Sequence, residues 1–194
     1  MNFASHIEHD ELNSLPLRSF EGAIHVISSP SEADEAIDRL YHSGIVGFDT
    51  ETKPTFKKGK LNTVSLLQLA SRYDAYLFRV NKLGYHAGLE QLLTRVNPLK
   101  IGAAIHEDIR ALKVLFPQQT NGFIDLQDIV KNYGIENIGV KKMAAIVLGF
   151  RISKSQQLSN WEADTLTDAQ MVYAATDAWV SLEIYLKLIQ NGTP

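Results

Sequence analysis

The chain has 194 residues, of which 45% are hydrophobic and 21% charged, and this composition predicts one soluble domain with a single core. It contains no cysteine, which excludes disulfides, thiolate metal sites and cysteine nucleophiles. The net charge of −3 argues against a uniformly basic surface, and with neither a secretory leader nor a membrane-length apolar run we expect a cytoplasmic location.

Strand and helix patterns alternate after a weakly periodic start. Residues 1–20 are expected to form an N-terminal arm, and residues 21–194 one domain. In chain order we expect a strand at 23–29, a helix at 29–44, strands at 45–51, 63–71 and 74–80, a helix at 86–96 and a strand at 99–105. Helices should follow at 106–116, at 123–134 after a short extended piece, at 140–150 and at 167–190. This order predicts an α/β protein with helices on both faces of a mixed sheet.

Local signals mark the ends of several of these helices. Serine precedes the first helix and Gly44 ends it, while Thr167 and Gln170 form a capping-box pattern at the start of the last helix. The last helix carries apolar or small residues on most sides, which predicts that it is largely buried. The polar segment 151–164 has no periodicity, so we expect a loop on the surface.

Two carboxylates stand one residue apart at the end of a predicted strand. Side chains at i and i+2 of a strand share a face, so Asp49 and Glu51 would repel each other at short range. A basic partner, a solvated loop or a divalent cation could offset this repulsion, and the strand alone does not choose among them.

Two further acids lie on other predicted elements. Asp177 stands inside the buried last helix, where an unpaired charge costs several kcal/mol, and Tyr173 lies four residues earlier on the same face. Asp108 opens the helix that follows the strand at 99–105. Acids from a strand end, a helix start and a helix interior could therefore converge on one point.

Three segments together resemble a known family. DTE at 49–51, IHEDIRAL around Asp108 and YAATD at 173–177 resemble, in order and spacing, the three motifs of the DEDD (DnaQ-like) superfamily of 3′-5′ exonucleases, in the DEDDy subgroup with a tyrosine in the third motif. The segment from Ser159 to Trp179 is similar to the ribonuclease D branch and to the exonuclease domain of the Werner-syndrome helicase. The resemblance covers roughly residues 23–190.

The resemblance implies a ribonuclease-H-like fold with a central mixed sheet of five to six strands, and 3′-5′ exonuclease chemistry with two divalent cations, Mg²⁺ or Mn²⁺. By the motifs, Asp49 would bridge both cations, while Glu51 and Asp177 would hold the cation that carries the attacking water. Asp108, rather than the neighbouring Glu107, would help to hold the second cation. Tyr173 would orient or activate the water.

Basic residues form two groups that could flank such a cleft and contact phosphates. The groups are Lys53, Lys57, Lys58 and Lys60, and Lys141, Lys142, Arg151 and Lys154. We expect nucleic acid to be bound by Lys53, Lys57, Lys58 and Lys154, although solvated loops would give the same pattern. Trp161 is a fifth candidate, because a loop tryptophan either stacks on a base or fixes its loop to the core.

The implied function is hydrolysis of DNA or RNA from single-stranded or overhanging 3′ ends, with release of nucleoside 5′-monophosphates. The alternatives are a catalytically weak nucleic-acid-binding module and a nuclease for short oligonucleotides on the same fold. Ordinary structural roles also exist for each residue taken singly. Lysines could neutralise Asp49 and Glu51, the helix dipole favours Asp108, and Tyr173 and Asp177 could be core residues.

Overall fold

A mixed sheet of six strands forms the centre of the computed structural model, which describes residues 3–54 and 63–192. The strands are β1 (Ala23–Ile27), β2 (Ile45–Thr52), β3 (Val64–Ala70), β4 (Asp74–Phe78), β5 (Leu99–Gly102) and β6 (Phe123–Asp125). Their order across the sheet is β1-β4-β3-β2-β5-β6, and β3 runs antiparallel to the other five. The predicted mixed sheet is confirmed, and it has six strands where five to six were expected.

Eight helices occur within the described ranges. They are α1 (His9–Ser14), α2 (Pro30–Tyr41), α3 (Val80–Leu83), α4 (Ala87–Thr94), α5 (His106–Leu112), α6 (Leu126–Lys131), α7 (Val140–Leu148) and α8 (Asp168–Gln190). Ser29 and Glu32 form a capping box at α2, and Thr167 and Gln170 form the predicted one at α8. In the part of the chain that the structure describes, no helix combines the length and the apolar character needed to cross a membrane.

The main differences from the sequence prediction involve short elements. Helix α1 lies within residues 1–20, where Ile7 and Leu12 are buried and pack with Ala145 of α7. Residues 123–134, predicted as a short extended piece followed by a helix, form β6 and α6. Helices α1 and α3 have only six and four residues, too few to show a helical hydrophobic period, and the sequence did not predict them.

Helices cover the two faces of the sheet with separate apolar clusters. One cluster joins α2, α4 and α5 to Val46 and Phe48 of β2. The other joins α6, α7 and α8 to Ile101 of β5. Because side chains alternate along a strand, odd-numbered residues of β2, which include Gly47, face α8, while Val46 and Phe48 face the opposite way.

Helix α8 crosses β2 at very short range. A Cβ atom at Gly47 would lie 1.8 Å from the carbonyl oxygen of Ala178 and 3.3 Å from the Cβ of Leu182. Only glycine leaves enough room for this approach, because the nearest atom belongs to the helix backbone and cannot rotate away. The contact places the C-terminal half of β2 directly beside the residues that flank Ala178.

Gly47→Ala should therefore lower the free energy of unfolding by at least about 1–3 kcal/mol, the usual cost of overpacking a core. Gly139→Ala is the control for an added methyl group, because nothing lies within 4 Å of a Cβ at Gly139 and its φ of −82° suits alanine. Gly139 is the N-cap of α7, so the smaller loss expected there, about 1 kcal/mol or less, is the baseline. Denaturant unfolding of both variants measures the difference. If Gly47→Ala is as stable as Gly139→Ala, the close approach of α8 to β2 does not require glycine at position 47.

Candidate active site

Three carboxylates meet where the C-terminal end of β2 faces α8. Asp49 and Glu51 project from β2 on the face that carries Gly47, and Asp177 projects from α8 next to Ala178. One carboxylate oxygen from each of the three acids lies within 4.8 Å of the others. The structure therefore brings together three of the four predicted acidic ligands in one cluster.

The cluster lines a cavity of about 350 Å³ that is open on one side. Asp177 is only 3% exposed, and its Oδ2 accepts a hydrogen bond of 2.7 Å from Lys154 Nζ. Its Oδ1 has no hydrogen-bond partner within the ranges that the structure describes. A buried and unsatisfied carboxylate oxygen that faces two further acids suits a hard cation, which prefers oxygen ligands.

The raised pKa values of the three acids also favour a cation site. Burial raises the pKa of Asp49 well above its usual value, and the charges of Asp177 and Asp108 raise it further. Burial, followed by the charge of Asp49, raises the pKa of Glu51 to about 9. Burial also raises the pKa of Asp177, although Lys154 opposes this shift. Each acid is thus destabilised in its charged form, and a bound cation would reverse that penalty.

Asp108 stands at the edge of the cluster. It lies on the first turn of α5, and its Oδ1 accepts a hydrogen bond from the hydroxyl of Thr50, which lies between the two acids of β2. Burial raises the pKa of Asp108, and its own charge raises the pKa of Asp49. The neighbouring Glu107 is exposed and lies 3.7 Å from Arg110. Of the two neighbouring acids, Asp108 is therefore the one that contacts β2 beside the cluster, and its part in holding a cation stays a prediction.

Asp125 supports this arrangement and was not singled out from the sequence. Its carboxylate accepts hydrogen bonds from the backbone N–H groups of Ala104 and Ile105, at 3.0 and 3.1 Å, and from Gln127 N–H at 2.9 Å. Ala104 has a φ of 59°, which is unusual for a residue with a side chain. Asp125 thus fixes the turn between β5 and α5 from which Asp108 projects.

Tyr173 is buried on α8, one turn before Asp177. Burial raises the pKa of its hydroxyl, and the negative charges of Asp177 and Glu51 raise it further. The phenol therefore remains protonated at neutral pH. In this state it can donate a hydrogen bond toward the cavity, which its side chain lines.

The two residues predicted in the 151–164 loop to bind nucleic acid have different surroundings. Lys154 lines the cavity and lies 5.4 Å from the centre of the Tyr173 ring, in addition to its bond with Asp177. Trp161 is fully buried in a cluster with Leu66 and Leu77. The prediction that Trp161 stacks on a base is wrong, because its ring has no exposed face; it fixes the loop to the core.

Of the remaining predicted nucleic-acid ligands, the structure describes Lys53, which directly follows β2. Lys53 Nζ forms an ion pair of 3.0 Å with Glu162 of the 151–164 loop. Lys57 and Lys58, together with Lys60 of the same basic group, lie outside the described residues. The proposed contacts of these lysines with nucleic acid stay predictions.

The raised pKa of Glu51 predicts how the metal-free protein responds to pH. A carboxylate whose folded-state pKa of about 9 exceeds its usual value of 4.5 contributes stability below pH 4.5, and this contribution is lost as the pH rises toward 9. The melting temperature in EDTA should therefore fall between pH 5 and pH 9. Glu51→Gln should reduce this fall and raise the melting temperature at pH 8–9.

The exposed Glu107→Gln is the control, because it removes the same group outside the cluster. It should reproduce the wild-type pH profile. If Glu51→Gln and Glu107→Gln give the same profile as the wild type, the charges of the cluster do not limit metal-free stability.

Comparison with known proteins identifies relatives of the chain. A family model described as 3′-5′ exonuclease matches residues 24–192. The bifunctional 3′-5′ exonuclease/ATP-dependent helicase WRN of Mus musculus is 34% identical over 190 residues, which cover 93% of this chain and 14% of the mouse protein. The chain therefore spans about one seventh of the length of that relative.

Solved structures share the fold. The EXO domain of Aedes aegypti Nibbler superposes with a TM-score of 0.80 and 27% identity, over 89% of this chain and 91% of that domain. Escherichia coli RNase D, an exoribonuclease involved in structured RNA processing, superposes with a TM-score of 0.78 and 23% identity, over 86% of this chain and 44% of the other. The predicted ribonuclease-H-like fold is confirmed.

Proposed function

Because the chain belongs to the 3′-5′ exonuclease family, as its three motifs predicted, we propose that it removes nucleotides from the 3′ ends of DNA or RNA with the help of divalent cations, Mg²⁺ or Mn²⁺. The observation that carries this proposal is the cluster of Asp49, Glu51 and Asp177, whose oxygens lie within 4.8 Å of one another in an open cavity. The substrate would be a single strand or an overhang, and the product a nucleoside 5′-monophosphate.

The cation ligands would be the acids of the cluster. Glu51 and Asp177 would hold one cation together with Asp49, and the unpartnered Oδ1 of Asp177 supports this assignment. Asp49 would also contribute to a second cation with Asp108, because the charges of both Asp177 and Asp108 act on its carboxylate. Two bound cations would supply the positive charge that stabilises the attacking and leaving oxygens of an in-line displacement.

The other residues of the cavity would position the reactants. Tyr173 would form a hydrogen bond with the attacking water and align the water with the terminal phosphorus. The water oxygen would form a bond to phosphorus as the bond to the 3′ oxygen of the preceding nucleotide breaks, so the phosphate leaves on the 5′ carbon of the released nucleotide. The water would lose a proton to solvent, and the 3′ oxygen of the shortened strand would take one up to become a hydroxyl. Asp125 would act indirectly, through the turn that carries Asp108.

The shape of the cavity agrees with one nucleotide as the reacting unit. Its volume of about 350 Å³ falls at the small end of the range for small-molecule sites. Ile138, Gly139 and Val140 are among the lining residues, and a base packed against their apolar or small side chains would be held by contacts that every base can make. We therefore expect little sequence preference.

A nucleic-acid-binding module without catalysis is the weaker alternative. Binding alone requires basic or aromatic surface, whereas three clustered acids, one of them with an unsatisfied oxygen, would repel a phosphodiester unless cations were bound. A preference for short oligonucleotides changes only the substrate length and uses the same chemistry.

We predict that the protein shortens a 5′-labelled single strand progressively, and that a 3′-labelled strand loses its label as a mononucleotide at once. Both reactions should require added Mg²⁺ or Mn²⁺ and stop in EDTA, because the acids cannot accept a phosphodiester without cations. Gel electrophoresis of matched DNA and RNA strands measures polarity and sugar preference together. Asp49→Asn is the inactive control, and robust degradation in EDTA would contradict the proposal.

Tyr173→Phe should lower kcat by about 100-fold with little change in nucleic-acid affinity, because it removes one positioning hydrogen bond and keeps the ring that packs on Trp161. The measurement is single-turnover cleavage at saturating cation. Tyr133→Phe is the matched control, since it removes a hydroxyl that bonds the Leu188 carbonyl at 3.0 Å outside the cavity. If Tyr173→Phe cleaves at the wild-type rate, the Tyr173 hydroxyl has no role in the reaction.

A further inference from the structure

We propose that Lys154 serves as the cation of the acidic cluster when no metal is bound, and that a divalent cation must displace its ammonium group from Asp177 to bind. This inference rests on the proposed function, because it requires that the cluster is a cation site. It assigns to the 151–164 loop a second position, in which Lys154 has left Asp177. Loading of the site with cations and movement of the loop would then be one event.

The charge balance of the cavity supports this role. Lys154 is the one basic side chain among the described residues that line the cavity, where it faces three acids. Lys154 Nζ lies 2.7 Å from Asp177 Oδ2, and oxygens of the three acids lie within 4.8 Å of one another, so its charge acts on the whole cluster and not only on its hydrogen-bond partner. One ammonium group therefore compensates part of a charge that two cations would compensate fully.

The geometry makes Lys154 and a cation competitors. Lys154 Nζ lies 2.7 Å from Asp177 Oδ2, while Oδ1 of the same carboxylate lacks a partner among the described residues. A divalent cation held between Asp177 and the acids of β2 would therefore lie within a few ångströms of the ammonium group. Like charges at that distance repel strongly in a partly buried site, so both cannot stay.

The loop is built so that Lys154 can move. Ile152 before it and Trp161 after it are fully buried, and the buried Arg79 holds the far end by donating to the backbone carbonyls of Ala163 and Asp164. Between these anchors, all residues of 153–160 are at least partly exposed. The lysine side chain is itself flexible, and because 30% of its surface is exposed it can turn from the cavity toward solvent.

The first test measures Mn²⁺ binding by calorimetry, without nucleic acid. Lys154→Met should bind Mn²⁺ about tenfold more tightly than the wild type, because the competing charge is gone. Lys154→Arg keeps the charge and should stay within a few-fold of the wild type. Lys187→Met is the matched control; it removes the same charge from an exposed position ten residues after Asp177 on α8 and should have no effect.

The second test compares melting temperatures with and without metal. In EDTA at pH 8, Lys154→Met should melt below the wild type by about 2–4 °C, since the acids lose their counterion. In saturating Mn²⁺ it should melt at or above the wild type. If Lys154 had only a structural role, Lys154→Met would lower the melting temperature in both conditions. A melting temperature below the wild type in EDTA but at or above it in Mn²⁺ therefore identifies the competition.

The loop is followed with a fluorophore on Leu158→Cys, an exposed position in a chain without other cysteines. Mn²⁺ should change its emission in the wild-type background and much less with Lys154→Met. If Lys154→Met binds Mn²⁺ equally or more weakly, the inference on Lys154 fails while the exonuclease proposal stands. If the wild type does not bind Mn²⁺, both fail.

Discussion

Mutual repulsion among three closely spaced carboxylates, one buried and two half-buried, is the constraint on which the rest of the structure depends. Two of the acids come from β2, near the middle of the sheet, and the third from the long and well-capped helix α8. Neither element could hold them together alone. Hydrogen bonding of β2 on both sides and the packing of α8 across it supply the rigidity that keeps like charges within 4.8 Å. The stability of the core thus offsets a local penalty that a cation site requires.

Long elements and the motif residues could be predicted from the sequence, because both depend on local information. Capping residues fixed the starts of α2 and α8, and the acids of β2 followed from side-chain alternation. The direction of Trp161 could not be predicted, since burial of a loop side chain depends on contacts with distant residues. The same applies to Asp125, whose partners lie about twenty residues earlier in the chain.

Lys154 illustrates a further limit of sequence interpretation. A basic residue in a polar loop of a nuclease is expected to contact phosphate, and its position beside an acid of the site becomes visible only in three dimensions. Both proposed functions would use the same charge, but at different stages. In the metal-free protein the ammonium group of Lys154 stabilises the acidic cluster. The sequence predicts only a contact with the substrate for this lysine.

The contact between Gly47 and the carbonyl oxygen of Ala178 restricts which substitutions this chain can accept at the crossing of β2 and α8. When two side chains clash, a smaller partner restores the fit, so paired substitutions can accumulate over time. Here one partner is the main chain, which is the same for every amino acid. No single replacement at position 178 could compensate for a larger residue at position 47, and a genetic suppressor would have to move the entire helix together with Asp177.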